Sequence, residues 1–187
     1  PLPMTNFALA HATGTEWKFI SIECLAELGP IETPGDLDPL GLVYITDSLS
    51  GDTEDILAFL RAETGIADWV GSVGMGICAT GQEYFDQPAI AILIAEFPPD
   101  SFRLLSTRKT PGILPVTLAN WAQSRESTFG VVHADPRNGD ILEIIAELAD
   151  GLGSFLVGGL TSSRGELAQI SGEVTSAGVS GVLLSGD

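Results

Sequence analysis

Residues 41–60 read Gly41-Leu42-Val43-Tyr44-Ile45-Thr46-Asp47-Ser48-Leu49-Ser50-Gly51-Asp52-Thr53-Glu54-Asp55-Ile56-Leu57-Ala58-Phe59-Leu60, and their apolar period changes halfway. The run 41–45 is continuously apolar, as in a strand covered on both faces. Asp47 ends it. Ile56, Leu57, Phe59 and Leu60 then fall on one face of a helix, with Asp52 as its N-cap. A buried strand that turns into a capped, one-faced helix opens a βα unit. The expected class is therefore α+β or α/β, with mixed sheets and helices packed on outer sheet faces.

The pattern continues in both directions. Upstream, Trp17, Ile20, Cys24, Leu25 and Leu28 predict a helix over 15–28, capped by Thr13 or Thr15 and stopped by Gly29-Pro30. A loop over 30–39 follows. Downstream, Trp69-Val70-Gly71 begins a second strand, and 89–97 forms a third between Pro88 and Pro98. The same order then recurs. Residues 129–133 are a strand, and Asp135-Pro136 places a capping Asp before a Pro at the first helical position. Ile141, Ile144, Ile145 and Leu148 give a helical stripe stopped by Gly151, and strands follow at 155–158 and within 178–184. At an offset of 88, Val43 matches Val131, Asp47 matches Asp135, and Gly51-Asp52 matches Gly139-Asp140. One domain over 1–187 is expected, an internal duplication of a β-α-β-β unit. The repeats span about 12–100 and 126–187, with a linker over about 101–125 and a pseudo-twofold axis between them. Periodicity does not distinguish one sheet from two stacked sheets.

The chain has 187 residues, 44% hydrophobic and only 18% charged, which is enough apolar material for a proper core. Its net charge of −17 repels phosphate backbones and anionic lipid, so neither nucleic acid nor membrane is an expected partner. The longest uncharged stretches, 69–82 and 111–124, fall short of the about 20 apolar residues a membrane helix needs. Two scattered cysteines, Cys24 and Cys78, read as reduced thiols of a cytoplasmic protein. No charged and apolar leader pattern opens the chain.

The βα unit, the run Val70-Gly71-Ser72-Val73-Gly74-Met75-Gly76-Ile77, the second βα unit, Phe155-Leu156-Val157-Gly158-Gly159-Leu160 and the closing Gly181-Val182-Leu183-Leu184 together resemble the N-terminal FIST domain (F-box and intracellular signal transduction). The resemblance covers the chain from about Ala12 onward. It implies a sensory domain that binds small ligands such as amino acids, with a C-terminal FIST domain or a signalling protein as partner. Gly71 and Gly76 keep the family's glycine spacing. The residues between them are Ser72, Val73, Gly74 and Met75, and Ile77 stands where the family carries an acid.

Glycines just past a strand let backbone approach a ligand closely, or let strands pack tightly. Gly71, Gly74 and Gly76 have the reverse of dinucleotide-binding spacing, so no nucleotide cofactor is expected. In the second copy, Gly158, Gly159, Thr161, Ser162 and Arg164 offer hydroxyls and a guanidinium to a carboxylate. His133 ends its strand. With Asp47 and Ser72, these residues form the candidate ligand-binding set, and they place a pocket between the copies. The basic residues Arg103, Arg108, Lys109 and Arg125 lie in the linker, as counter-charges or as an anion attractor. No Ser stands on a nucleophile elbow and no four-ligand zinc spacing occurs, so neither a catalytic set nor a metal is expected. The leading reading is a non-catalytic, small-ligand-binding sensory domain. The alternatives are a hydrolase-like enzyme using Cys78 or a Ser/Thr nucleophile, and a protein-interaction module.

Overall fold

The computed structural model describes residues 7–30 and 35–186. In chain order these form β1 (Phe7–Thr13), α1 (Trp17–Leu28), β2 (Asp38–Thr46), α2 (Thr53–Thr64), β3 (Asp68–Gly74), β4 (Gly76–Ala79), β5 (Gln82–Phe85), β6 (Ala89–Phe97), β7 (Phe102–Arg108), α3 (Val116–Gln123), β8 (Thr128–Ala134), α4 (Ile141–Leu152), β9 (Phe155–Leu160), β10 (Gln169–Ser171), β11 (Glu173–Thr175) and β12 (Val179–Ser185). The fold is α+β. A first sheet has the order β1-β6-β2-β3-β10-β11, a second β7-β12-β8-β9, and β4-β5 form a separate hairpin. The pairs β2–β3 and β8–β9 are parallel, and every other pairing in the two large sheets is antiparallel.

The two large sheets stack face to face. Leu40 and Val70 of the first meet Phe102 and Val182 of the second, with Leu42, Leu104 and Val131 packed around them. Side chains alternate across a strand. Hence Val43 and Ile45 of β2 point the other way, against Ile20 of α1 and Ile56 and Leu60 of α2. In the second sheet Leu105, Val132 and Leu183 meet Trp121 of α3 and Ile144 and Leu148 of α4. The layers run helix, sheet, sheet, helix. Both faces of β2 are covered, which is why its sequence is a continuous apolar run. Each fully buried aliphatic side chain here contributes about 2 kcal/mol.

Several expectations change. The stretch 101–125, read as a linker, contains β7 and α3, which form the edge of the second sheet and part of its helical cover. The strand β1, which no expectation covered, carries His11, whose Nδ1 is 2.6 Å from the Tyr84 hydroxyl. The N-cap of α1 is Glu16, without a side-chain cap bond, rather than Thr13 or Thr15. Part of the expected loop 30–39, residues 31–34, lies outside the described residues, and β2 already begins at Asp38. Asp135-Pro136 does not open a helix. Asp135 accepts from the Arg137 backbone in a tight turn, and α4 starts only at Ile141. Gly151 does not stop α4. The helix runs to Leu152 and Gly153 caps it in the left-handed region at φ 61°. A Cβ on Gly151 would lie 2.5 Å from Leu114, so that glycine is a packing site.

Candidate functional site

The space between the sheets changes character along the strands. It is apolar at Leu40, Val70, Phe102 and Val182. Two residues further along the same faces stand Tyr44 (from Leu42), Ser72 (from Val70), His133 (from Val131) and Ser180 (from Val182). Parallel β2–β3 and β8–β9 both deliver these polar groups at their carboxyl ends, where open α/β sheets leave a crevice for ligands. A cleft of about 370 Å³ opens there. Tyr44, Ser72 and His133 line it from the sheets, Ile77 and Cys78 from the β4–β5 hairpin, and Gly159, Leu160 and Ser162 from the end of β9 and beyond.

His133 is the most constrained group. It is 5% exposed, and its Nε2 is 3.1 Å from the Tyr44 hydroxyl. Its Nδ1 is buried and has no hydrogen-bond partner. Burial pushes its pKa down to about 4, so the ring is neutral near neutral pH. Burial also raises the Tyr44 pKa, keeping the hydroxyl protonated. Neighbouring buried atoms, Ser180 Oγ and Gln169 Oε1, also lack partners. Ser180 pairs directly with His133 across β12–β8, and Gln169 faces Ser72 across β10–β3.

The chain after β9 crosses from the second sheet to the first and stitches them. Thr161 N–H donates to Ala134 O at 2.8 Å, and its hydroxyl meets Ser72 Oγ at 2.8 Å. Ser162 Oγ accepts from Met75 N–H at 3.1 Å. Arg164 closes bidentately on Asp47, through Nε at 2.8 Å and Nη2 at 2.9 Å, and its Nη1 meets Asp86 at 2.6 Å. The Arg164 hydrogen bonds hold the Asp47 carboxyl below its ordinary pKa.

The structure thus gathers Ser72, Gly74, Gly76, His133, Gly158, Gly159 and Ser162 at the cleft. It leaves Asp47 and Arg164 in a neighbouring depression with Ser48 and Asp86, and uses Thr161 to join the sheets. Gly71 is a packing position, since a Cβ there would sit 1.8 Å from Val43 O. Tyr44, Val73, Ile77 and Leu160 were missed. The one signal for Tyr44 was a hydroxyl in an otherwise aliphatic run. Cys78 is exposed at the rim, whereas Cys24 is buried and its thiol is pushed up to about 12 by that burial. The three arginines of the basic cluster are also engaged. Arg103 and Arg125 pair with Asp100 and lie over Trp121, and Arg108 pairs with Glu147.

A family model described as FIST N domain matches residues 39–187. No curated protein matches the chain.

Proposed function

The chain belongs to the FIST N domain family, a family of sensory and signalling domains, and from that premise we propose that it binds a small metabolite without transforming it, in the cleft between its two sheets. The observation that carries this reading is the cleft itself. It lies at the carboxyl ends of both parallel pairs, and its volume falls within the about 300–1,000 Å³ usual for small-molecule sites. Tyr44 and His133, joined by a hydrogen bond, put polar groups in its lining. Hydrolytic use of Cys78 has less support, because His133, the imidazole at the cleft, is bonded to Tyr44 and is a weak base with its pKa near 4. The amino acid or other small carboxylate expected from the resemblance would need an anchoring cation. Arg164, the candidate for that part, is engaged by two carboxylates.

An ancestral duplication belongs to the same proposal. Sheet orders β1-β6-β2-β3 and β7-β12-β8-β9 match in sequence of strands and in direction, and α2 and α4 are offset by 88 residues. The close glycine contacts Gly71–Val43 and Gly158–Val132 are counterparts in the two parallel pairs, which makes Tyr44 and His133, one residue further along β2 and β8, equivalent groups that meet as expected at a pseudo-twofold axis. The cleft would then be a product of the duplication, lying at that axis.

Thermal-shift screening of a broad metabolite panel tests the binding reading, with a Gly159→Leu variant as control. Its side chain would project beside His133 into the cleft, and a Cβ at 159 meets nothing within 4 Å. Compounds that stabilise the parent chain and not the variant support the reading. No stabilising compound, or equal stabilisation of both proteins, ends it.

A further inference from the structure

Taking the cleft as the ligand site, we infer that its ligand is an uncharged hydrogen-bonding molecule such as an alcohol, phenol or amide, and that carboxylates, ammonium compounds and zwitterions are excluded. Among the described residues, the cleft lining carries no Asp, Glu, Lys or Arg. Its polar side chains are the Tyr44, Ser72 and Ser162 hydroxyls, the Cys78 thiol and the His133 ring. Desolvating a charge is costly unless an opposite charge or several hydrogen bonds meet it.

The nearest ionic groups are closed on one another. Arg164 is held by Asp47 and Asp86 in the neighbouring depression, and Asp135, fully buried just past His133, is held by Arg137. Backbone amides can replace a cation for a carboxylate. Four of those near the strand ends are spent: Val73 N–H on Ala168 O, Met75 N–H on Ser162 Oγ, Thr161 N–H on Ala134 O and Ser162 N–H on Val73 O. The chain's net charge of −17 disfavours anions further. A neutral ligand meets the opposite situation. The His133 ring lines the cleft beside Tyr44, whose hydroxyl can both donate and accept. Ile77, Val73 and Leu160 supply apolar contact for the rest of the molecule.

The test is a fragment library in which every uncharged member has charged counterparts of the same shape. Examples are 4-hydroxybenzamide with 4-hydroxybenzoate, 2-phenylethanol with phenylacetate and 2-phenylethylamine, and N-acetyl-leucinamide with N-acetyl-leucine. Ligand-observed NMR on the full chain near neutral pH would find binders, and calorimetry would rank each set. Expected are neutral binders, each at least about tenfold tighter than its charged counterparts and each lost in Gly159→Leu. A charged member binding as tightly as its neutral partner, with binding lost in Gly159→Leu, overturns the ligand class and leaves the site standing. Binding that persists in Gly159→Leu, or no binding by either class, overturns both.

Discussion

A Cβ at position 158 would lie 1.8 Å from Val132 O, and Gly158 also holds a φ of 149°, whereas a Cβ at Gly159 meets nothing within 4 Å. Two adjacent glycines that look alike in sequence therefore do different work. Gly158 lets β9 lie close against β8, and Gly159 leaves space beside His133. In chemical denaturation, Gly158→Ala is expected to lose about 3 kcal/mol and Gly159→Ala to stay within about 0.5 kcal/mol. Equal losses would refute this division. His133 gives a pH dependence whose sign is fixed. Burial lowers its pKa from 6.5 to about 4, so the unfolded chain binds the proton more readily. Its contribution to stability is complete above pH 6.5 and is lost as pH falls through about 4, on the order of 3 kcal/mol in all. Asp47 and Asp135, lowered by Arg164 and Arg137, lose their part only below their ordinary value of 3.8. Between these limits, replacing His133 with Gln should flatten the stability profile. A parent profile already flat there would contradict the buried, neutral ring.

Elements differ in how openly the sequence announced them. The runs that became β2, β6, β8 and β12, and the stripes of α1, α2 and α4, were legible because burial on one or both faces writes itself as a period. β1 and the pair β7 and α3 were not. Phe7 and Leu9 of β1 are exposed, and β7 has exposed Arg103 and Ser106 between and beyond buried Phe102 and Leu105 with no period of two, so neither shows a strand pattern. Boundaries failed where a polar residue served a turn rather than a cap, as Asp135 does. The cleft's location was legible from the paired glycine-rich strand ends, but its chemistry was not. The hydroxyls and guanidinium after β9 hold the sheets together, and their partners Ser72, Met75 and Asp47 lie far away in sequence. The β4–β5 hairpin yields a prediction of its own. It packs Ile77 and Tyr84 inward and carries Cys78 outward at the cleft rim, while Cys24 is sealed beneath α1 with its sulfur 3.5 Å from Ile90 O. A thiol reagent should therefore titrate one cysteine in the native chain and both in denaturant. Peptide mapping should place the native adduct on Cys78. Native labelling of Cys24 would mean that α1 opens readily from the first sheet.

The whole molecule combines a firm sandwich with an unbalanced charge. Four layers bury their apolar faces in pairs, and the polar end of the inter-sheet space is where that burial stops. None of the described helices is long and apolar enough to cross a membrane. Charge repulsion adds to the conformational entropy that opposes compactness, since 25 acidic residues face only 8 basic ones. Five of the eight already sit in ion pairs: Arg103, Arg108, Arg125, Arg137 and Arg164. Arg61 instead donates to the Ala67 and Gly172 carbonyls, holding the end of α2 to the turn after β10. Little cationic capacity remains to offset the excess. Folding brings these carboxylates closer together than in the extended chain, and the repulsion is long-ranged at low ionic strength. Added salt screens that repulsion before it weakens the partly buried pairs such as Arg164–Asp47. The melting temperature should therefore rise between about 10 mM and about 0.5 M sodium chloride, by roughly 3 °C for each kcal/mol of repulsion relieved. Scanning calorimetry along that series reads it directly. A melting temperature that falls with salt would mean that the ion pairs, rather than the net charge, dominate the electrostatics of the fold.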